Sequence, residues 1–114
     1  MRFHEAEIET ADKLPDGTDL DKLAKAVARH ETGSCTIGNS ALVHNNCFGV
    51  RECSGGRCYG FKTYDTIEDS YEEFKRLWRD KYGKFPNSYL AKRYSGSDRA
   101  DHWLANVTSV YNSL

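Results

Sequence analysis

Between Leu20 and Tyr111 the spacing of apolar residues changes character four times, and those changes outline the fold. Leu20, Leu23, Ala24 and Val27 recur at helical spacing, so the chain from Leu20 to about Thr32 reads as an amphipathic helix. Thr18 or Asp19 is placed to cap its start, and Gly33 stands where a helix should stop. From Ser34 to Asn46 the residues are mostly small and polar, and an ordered loop is expected. Phe48–Cys53 and Cys58–Tyr64 are two short runs around Ser54-Gly55-Gly56-Arg57, the pattern of a β-hairpin.

Helical spacing then returns three times. Ile67, Tyr71, Phe74, Trp78 and Tyr82 share one helical face, with Asp65 and Glu68 at capping-box spacing and Gly83 as a stop. Pro86-Asn87 opens a short helix through Tyr94, which Ser95-Gly96 breaks. Ala100, Trp103, Leu104, Val107 and Tyr111 form the stripe of a closing helix. Residues 1–17 end in the turn signal Pro15-Asp16-Gly17 and read as an N-terminal arm, with a short extended piece at Arg2–Ile8. The organisation expected is therefore an arm (1–17) and one domain (18–114) of α+β class, mainly helical with one small hairpin lobe.

Composition narrows the class. The 114 residues suit a single domain. No apolar run approaches membrane-span length, and no signal-peptide pattern opens the chain. Net charge is -1, yet residues 1–22 carry seven acids against three bases, which leaves +3 for the remainder. A mildly basic body suits an anionic polymer, although a solvated surface with an acidic tail explains most of these charges. The four cysteines lack the paired close spacings of a zinc site. Two disulfides, Cys53–Cys58 across a tight turn and Cys35–Cys47 closing a loop, are the better reading, and they imply an oxidising compartment outside the cytoplasm. His4, His30, His44 and His102 have no metal-ligand spacing, and Ser54-Gly55-Gly56 leads into a strand rather than a helix, unlike a phosphate loop. No metal, cofactor, nucleic acid or membrane is expected, and the chain is expected to be a monomer.

One carboxylate breaks the pattern. At about 100° per residue Glu31 falls roughly 20° from Leu20, near the centre of the buried stripe, whereas Arg29 points to the opposite side. Burial there would disfavour the charged form, and the carbonyl end of the helix would repel it further. A carboxyl kept protonated near neutral pH is what glycoside cleavage requires of its general acid. The competing explanation is a glutamate at a fraying helix end that reaches water.

The residues that follow bear on the choice. Glu31-Thr32-Gly33-Ser34-Cys35, Asn45-Asn46-Cys47-Phe48-Gly49-Val50-Arg51, Phe61-Lys62-Thr63-Tyr64 with Glu68-Asp69-Ser70, and Tyr94-Ser95-Gly96 together resemble the glucosaminidase domains of bacterial autolysins and flagellar muramidases. The resemblance covers about residues 20–114. It implies a lysozyme-like fold and a peptidoglycan glycan substrate, with Glu31 as general acid and Tyr94 as the cleft tyrosine. Asn45 and Asn46 would shape the facing loop, and Phe48 would pack the hairpin onto the helix. The chain is shorter than typical members, and its cysteines lie outside their pattern. Of a second catalytic carboxylate in the hairpin lobe, Glu52 is the sole candidate, with a solvated strand residue as its plain alternative.

Tyr59 and Tyr64 on the hairpin are expected to contact sugar, while Trp78 and Trp103 lie on apolar stripes and belong to the core. Lytic transglycosylases work with one glutamate, so hydrolase and lyase both stay open. A non-catalytic glycan-binding module and a disulfide-stapled interaction domain are the further alternatives. The location implied is extracellular, periplasmic or the cell envelope.

Overall fold

A computed structural model describes residues 12–114, the Ser97 side chain excepted. The extended piece expected at Arg2–Ile8 lies outside them. Helix α1 spans Leu20–Thr32. The Asp19 side chain caps it by accepting from Lys22 N–H, and Gly33 ends it in the left-handed conformation at φ 56°. The helix is buried on more than its stripe: Leu20, Leu23, Ala24, Ala26, Val27 and Ala28 are all fully covered. The reason is its position, packed against both α3 and α5, defined below.

Residues 34–46 are not all loop. A one-and-a-half-turn helix α2, Asn39–His44, follows two consecutive left-handed residues, Ser34 (φ 63°) and Cys35 (φ 69°). Polar composition hid this helix, because Asn39 and Ser40 begin it without a side-chain cap. Strands β1 (Arg51–Ser54) and β2 (Arg57–Phe61) are shorter than the apolar runs that announced them. Ser54 pairs with Arg57, so the turn is two residues, Gly55-Gly56, both at positive φ as a tight hairpin turn requires. Opposite Arg51–Cys53 the ladder contains an irregularity, and every residue of β1 is exposed.

Helix α3 runs Ile67–Leu77, capped by Thr66 rather than Asp65: the Thr66 hydroxyl accepts from Asp69 N–H at 3.1 Å. It continues without a break as a π-helical turn, Trp78–Tyr82, ended by Gly83 at φ 75°. Helix α4 (Ser88–Ser95) is capped by Asn87, and after a 3₁₀ turn at Ser97–Arg99 helix α5 (Ala100–Ser113) closes the chain. Ile67, assigned by spacing to the buried face of α3, is exposed because it opens the helix beyond the edge of the core.

Residues 12–17, assigned to the arm, fold back onto the domain. Leu14 is buried, Leu20 N–H donates to Asp12 carbonyl at 2.7 Å, and Asp16 accepts from Phe85 N–H at 2.9 Å. The apolar Leu14 supplies the reason, since leaving it in water would forgo roughly 2 kcal/mol. The core beneath is aromatic: Phe48 stacks on Phe74 at 4.5 Å, Phe74 on Trp78 at 5.3 Å, and Trp78 lies 6.5 Å from Trp103. Mixed helix and sheet is thus the observed class, with the hairpin projecting from a helical body.

Both disulfides are present as the spacing implied, Cys35–Cys47 and Cys53–Cys58. Among the described residues no helix is long and apolar enough to cross a membrane.

Candidate functional site

The end of α1 is held from several sides. The Thr32 hydroxyl donates to the Cys47 carbonyl at 2.7 Å and accepts from Cys35 N–H at 3.0 Å. The Cys35–Cys47 bond fastens the same two segments covalently. Glu31 therefore projects from a helix end that cannot fray, over the junction between the helical body and the base of the hairpin.

There it lines a hollow of about 340 Å³ together with Phe48, Gly49, Val50, Arg51, Leu77 and Tyr94. A second hollow of about 220 Å³ shares Val50, Leu77 and Tyr94 with the first and is lined further by Glu73 and Arg76. The two form one groove with a carboxylate at either end. Their combined size falls in the range of small-ligand sites.

Glu31 is not buried in the apolar stripe, as its phase on the helix suggested. The helix stays covered at Ala28 and Thr32, but the Glu31 side chain between them is exposed into the groove. Its carboxylate nevertheless keeps protein on one side. Oε2 accepts from Trp103 Nε1 at 3.1 Å, and Trp103 is 1 % exposed. Loss of water around the carboxylate pushes its pKa up; the Trp103 bond and the Arg99 charge oppose this in part. The accessible surface and the raised pKa are compatible, because an open groove leaves the side chain reachable while its walls still displace solvent.

Tyr94 stands beside it. Its hydroxyl is the one buried side-chain polar atom among the described residues with no protein partner. Burial first, and the Glu31 charge second, push its pKa well above the usual phenol value, so it remains a neutral hydroxyl able to donate. Phe74, Trp78 and Trp103 surround the ring at 5.3–5.9 Å.

The opposite end of the groove is built around Glu73 and Arg76, which the sequence did not single out. Glu73 accepts from Lys62 Nζ at 2.8 and 3.0 Å, from Arg76 at 3.3 Å and from the Tyr64 hydroxyl. Burial alone would raise its pKa, but these partners outweigh it and hold the carboxyl below the usual value. Tyr64 moves the other way, well above an ordinary phenol, through burial and the bond to Glu73. Lys62 and Tyr64 alternate on one extended segment, so their side chains share a face that calls for an acidic partner; that is the one sequence signal that could have pointed to Glu73.

Several expected site residues serve the fold instead. Asn46 is fully buried, and its amide is saturated: it donates to the carbonyls of Val50 (2.9 Å) and Lys62 (2.8 Å) and accepts from Phe48 and Val50 N–H. Asn45 ends α2 in the left-handed conformation and donates to the Tyr64 and Asp65 carbonyls. Tyr64 is buried with its hydroxyl on Glu73, which leaves it no face for a sugar. Tyr59 is 55 % exposed on β2, away from the groove walls. Glu52 is exposed on β1 and does not line the hollow with Glu31; its charge is felt at Tyr64. Glu31, Phe48 and Tyr94 are thus the expected residues that the fold brings together.

No family model, curated protein or solved structure matches the chain.

Proposed function

We infer that the protein cleaves the glycan strands of bacterial cell walls, with Glu31 as general acid. The observation that carries this reading is a carboxyl of raised pKa, oriented by Trp103 and reachable from a groove. In its protonated form Glu31 can give its proton to the glycosidic oxygen as the C–O bond breaks. The buried Tyr94 hydroxyl next to it can steady the carboxylate left behind. The likeness to glucosaminidase domains in the Asn45–Arg51 segment supports the substrate class, and a lysozyme-like arrangement agrees with a hairpin lobe set over a glutamate-bearing helix. Two disulfides favour an extracellular or envelope location.

Glu31 is the sole acidic residue lining its hollow. That favours chemistry with a single carboxylate. After donating its proton, Glu31 would take one back from a hydroxyl of the substrate sugar itself, whose oxygen closes onto the anomeric carbon to give an anhydro product. Mass spectrometry of fragments released from purified sacculi separates the outcomes. An anhydro end supports the single-carboxylate route, a reducing end supports hydrolysis, and no soluble fragments from the pure protein would sink the enzymatic reading in favour of a binding module.

A further inference from the structure

Arg51 and Arg76 are the cations that line the groove, one in each hollow, on either side of the shared wall of Val50, Leu77 and Tyr94. Arg51 has no carboxylate partner among the described residues. Its guanidinium carbon lies 4.4 Å over the Phe61 ring, a cation–π contact that spends none of its N–H donors. Arg76 gives one nitrogen to Glu73 and keeps its other donors. Glu73, in the second hollow, is already paired with Lys62 at 2.8 Å. Glu52 follows Arg51 along β1 and lines neither hollow. With Glu73 tied to Lys62 and Arg76, Arg51 is the lining cation left without a carboxylate bond among the described residues.

Resting on the glycan-cleaving reading above, we propose that the groove takes a glycan bearing a carboxylate, on the sugar or on a peptide attached to it, and that Arg51 reads that carboxylate with Arg76 in support. A guanidinium without an acidic partner presents two parallel N–H donors, the geometry a carboxylate accepts in a bidentate pair. A neutral glycan would enter the same groove and leave that fork unpaired.

The full-length Glu31→Gln protein, which carries a neutral amide in place of the acid, serves for the binding test. Titration calorimetry compares N-acetylglucosaminyl-N-acetylmuramyl dipeptide, the same compound with its carboxylates amidated, and chitotetraose. The carboxylate form should bind about tenfold more tightly than the amidated form. Arg51→Gln in that background should abolish the difference, with chitotetraose affinity and thermal unfolding unchanged, and Arg76→Gln should reduce it. Equal affinity for the carboxylate and amidated forms overturns the proposal, as does a preference that survives Arg51→Gln. A sugar phosphate gaining the Arg51-dependent affinity in place of the carboxylate would overturn it too. The two readings fail separately: wild-type protein that releases no fragments yet keeps the Arg51-dependent preference removes the enzyme and leaves this site standing, whereas cleavage without the preference does the reverse.

Discussion

The two ends of the groove present the same functional group in opposite states. Glu31 has one neutral donor, Trp103, and a pKa pushed up by loss of water. Glu73 has two cations and a phenol on its oxygens, and its pKa is pulled down. The difference lies in what faces each carboxyl, for both sit on helices against the same aromatic core. A carboxyl whose surroundings supply little charge holds its proton more tightly, and one whose surroundings supply cations becomes part of the framework.

That contrast can be broken at each end. The largest effect is expected for Glu31→Gln, which should lower fragment release from sacculi by about 10²–10⁴-fold, the usual worth of a general acid. The fold should tolerate it. Because the folded-state pKa of Glu31 is raised, the wild type loses stability as pH rises through that value, so Glu31→Gln should unfold no lower than wild type in alkaline buffer, as thermal melts would show.

Next comes the junction that holds both ends in register. Asn46→Ala removes an amide that ties the hairpin base to the loop and leaves buried partners unsatisfied, at about 3 kcal/mol in chemical denaturation. A smaller loss would show that the amide is not what holds the lobe.

Glu73→Gln should cost about 1–2 kcal/mol by the same measurement, since it weakens charge-assisted bonds that are partly solvated. The sign of its pH dependence is fixed by the depressed pKa: the contribution is present above the ordinary carboxylate pKa and lost as pH falls through the folded value. The gap between wild type and Glu73→Gln should therefore close in acid. A gap that widens there would mean the carboxylate is not held by its cations.

The smallest effect is expected for Trp103→Phe. The indole N–H lowers the Glu31 pKa, so its removal should move the alkaline limb of the pH–activity profile upward while activity at the optimum changes a few-fold. An unmoved limb would separate Trp103 from the acid. Trp103 was expected in the core and is there; its ring is buried while its N–H reaches the groove, a double role that helical phase alone does not reveal.

How much could be read in advance differs between local and long-range features. The cap at Asp19, the stop at Gly33, the Gly55-Gly56 turn and both cysteine pairs depend on groups within a few residues of each other, or on a spacing that admits few pairings. The helix inside 34–46 was hidden because its stability comes from the disulfide and from Asn46 rather than from its own composition. Asn45, Asn46 and Tyr64 were expected to meet substrate, and none of them lines the groove. Whether an amide or phenol meets ligand or protein depends on what the chain places opposite it, as the carbonyls of Val50 and Lys62 opposite Asn46 illustrate.

The sequence by itself determined the order of the four longer helices and the hairpin, the disulfide pairs and the position of Glu31 at the end of an amphipathic helix, because periodicity, capping and cysteine spacing act locally along the chain. Only the tertiary structure decided that Glu31 opens into a groove, that Trp103 holds it and Tyr94 neighbours it, and that Glu73 is tied to Lys62 and Tyr64. Solvent exclusion and charge pairing depend on distances in space between residues far apart in sequence, 72 positions in the case of Trp103 and Glu31. Such distances are fixed only once the aromatic core has closed.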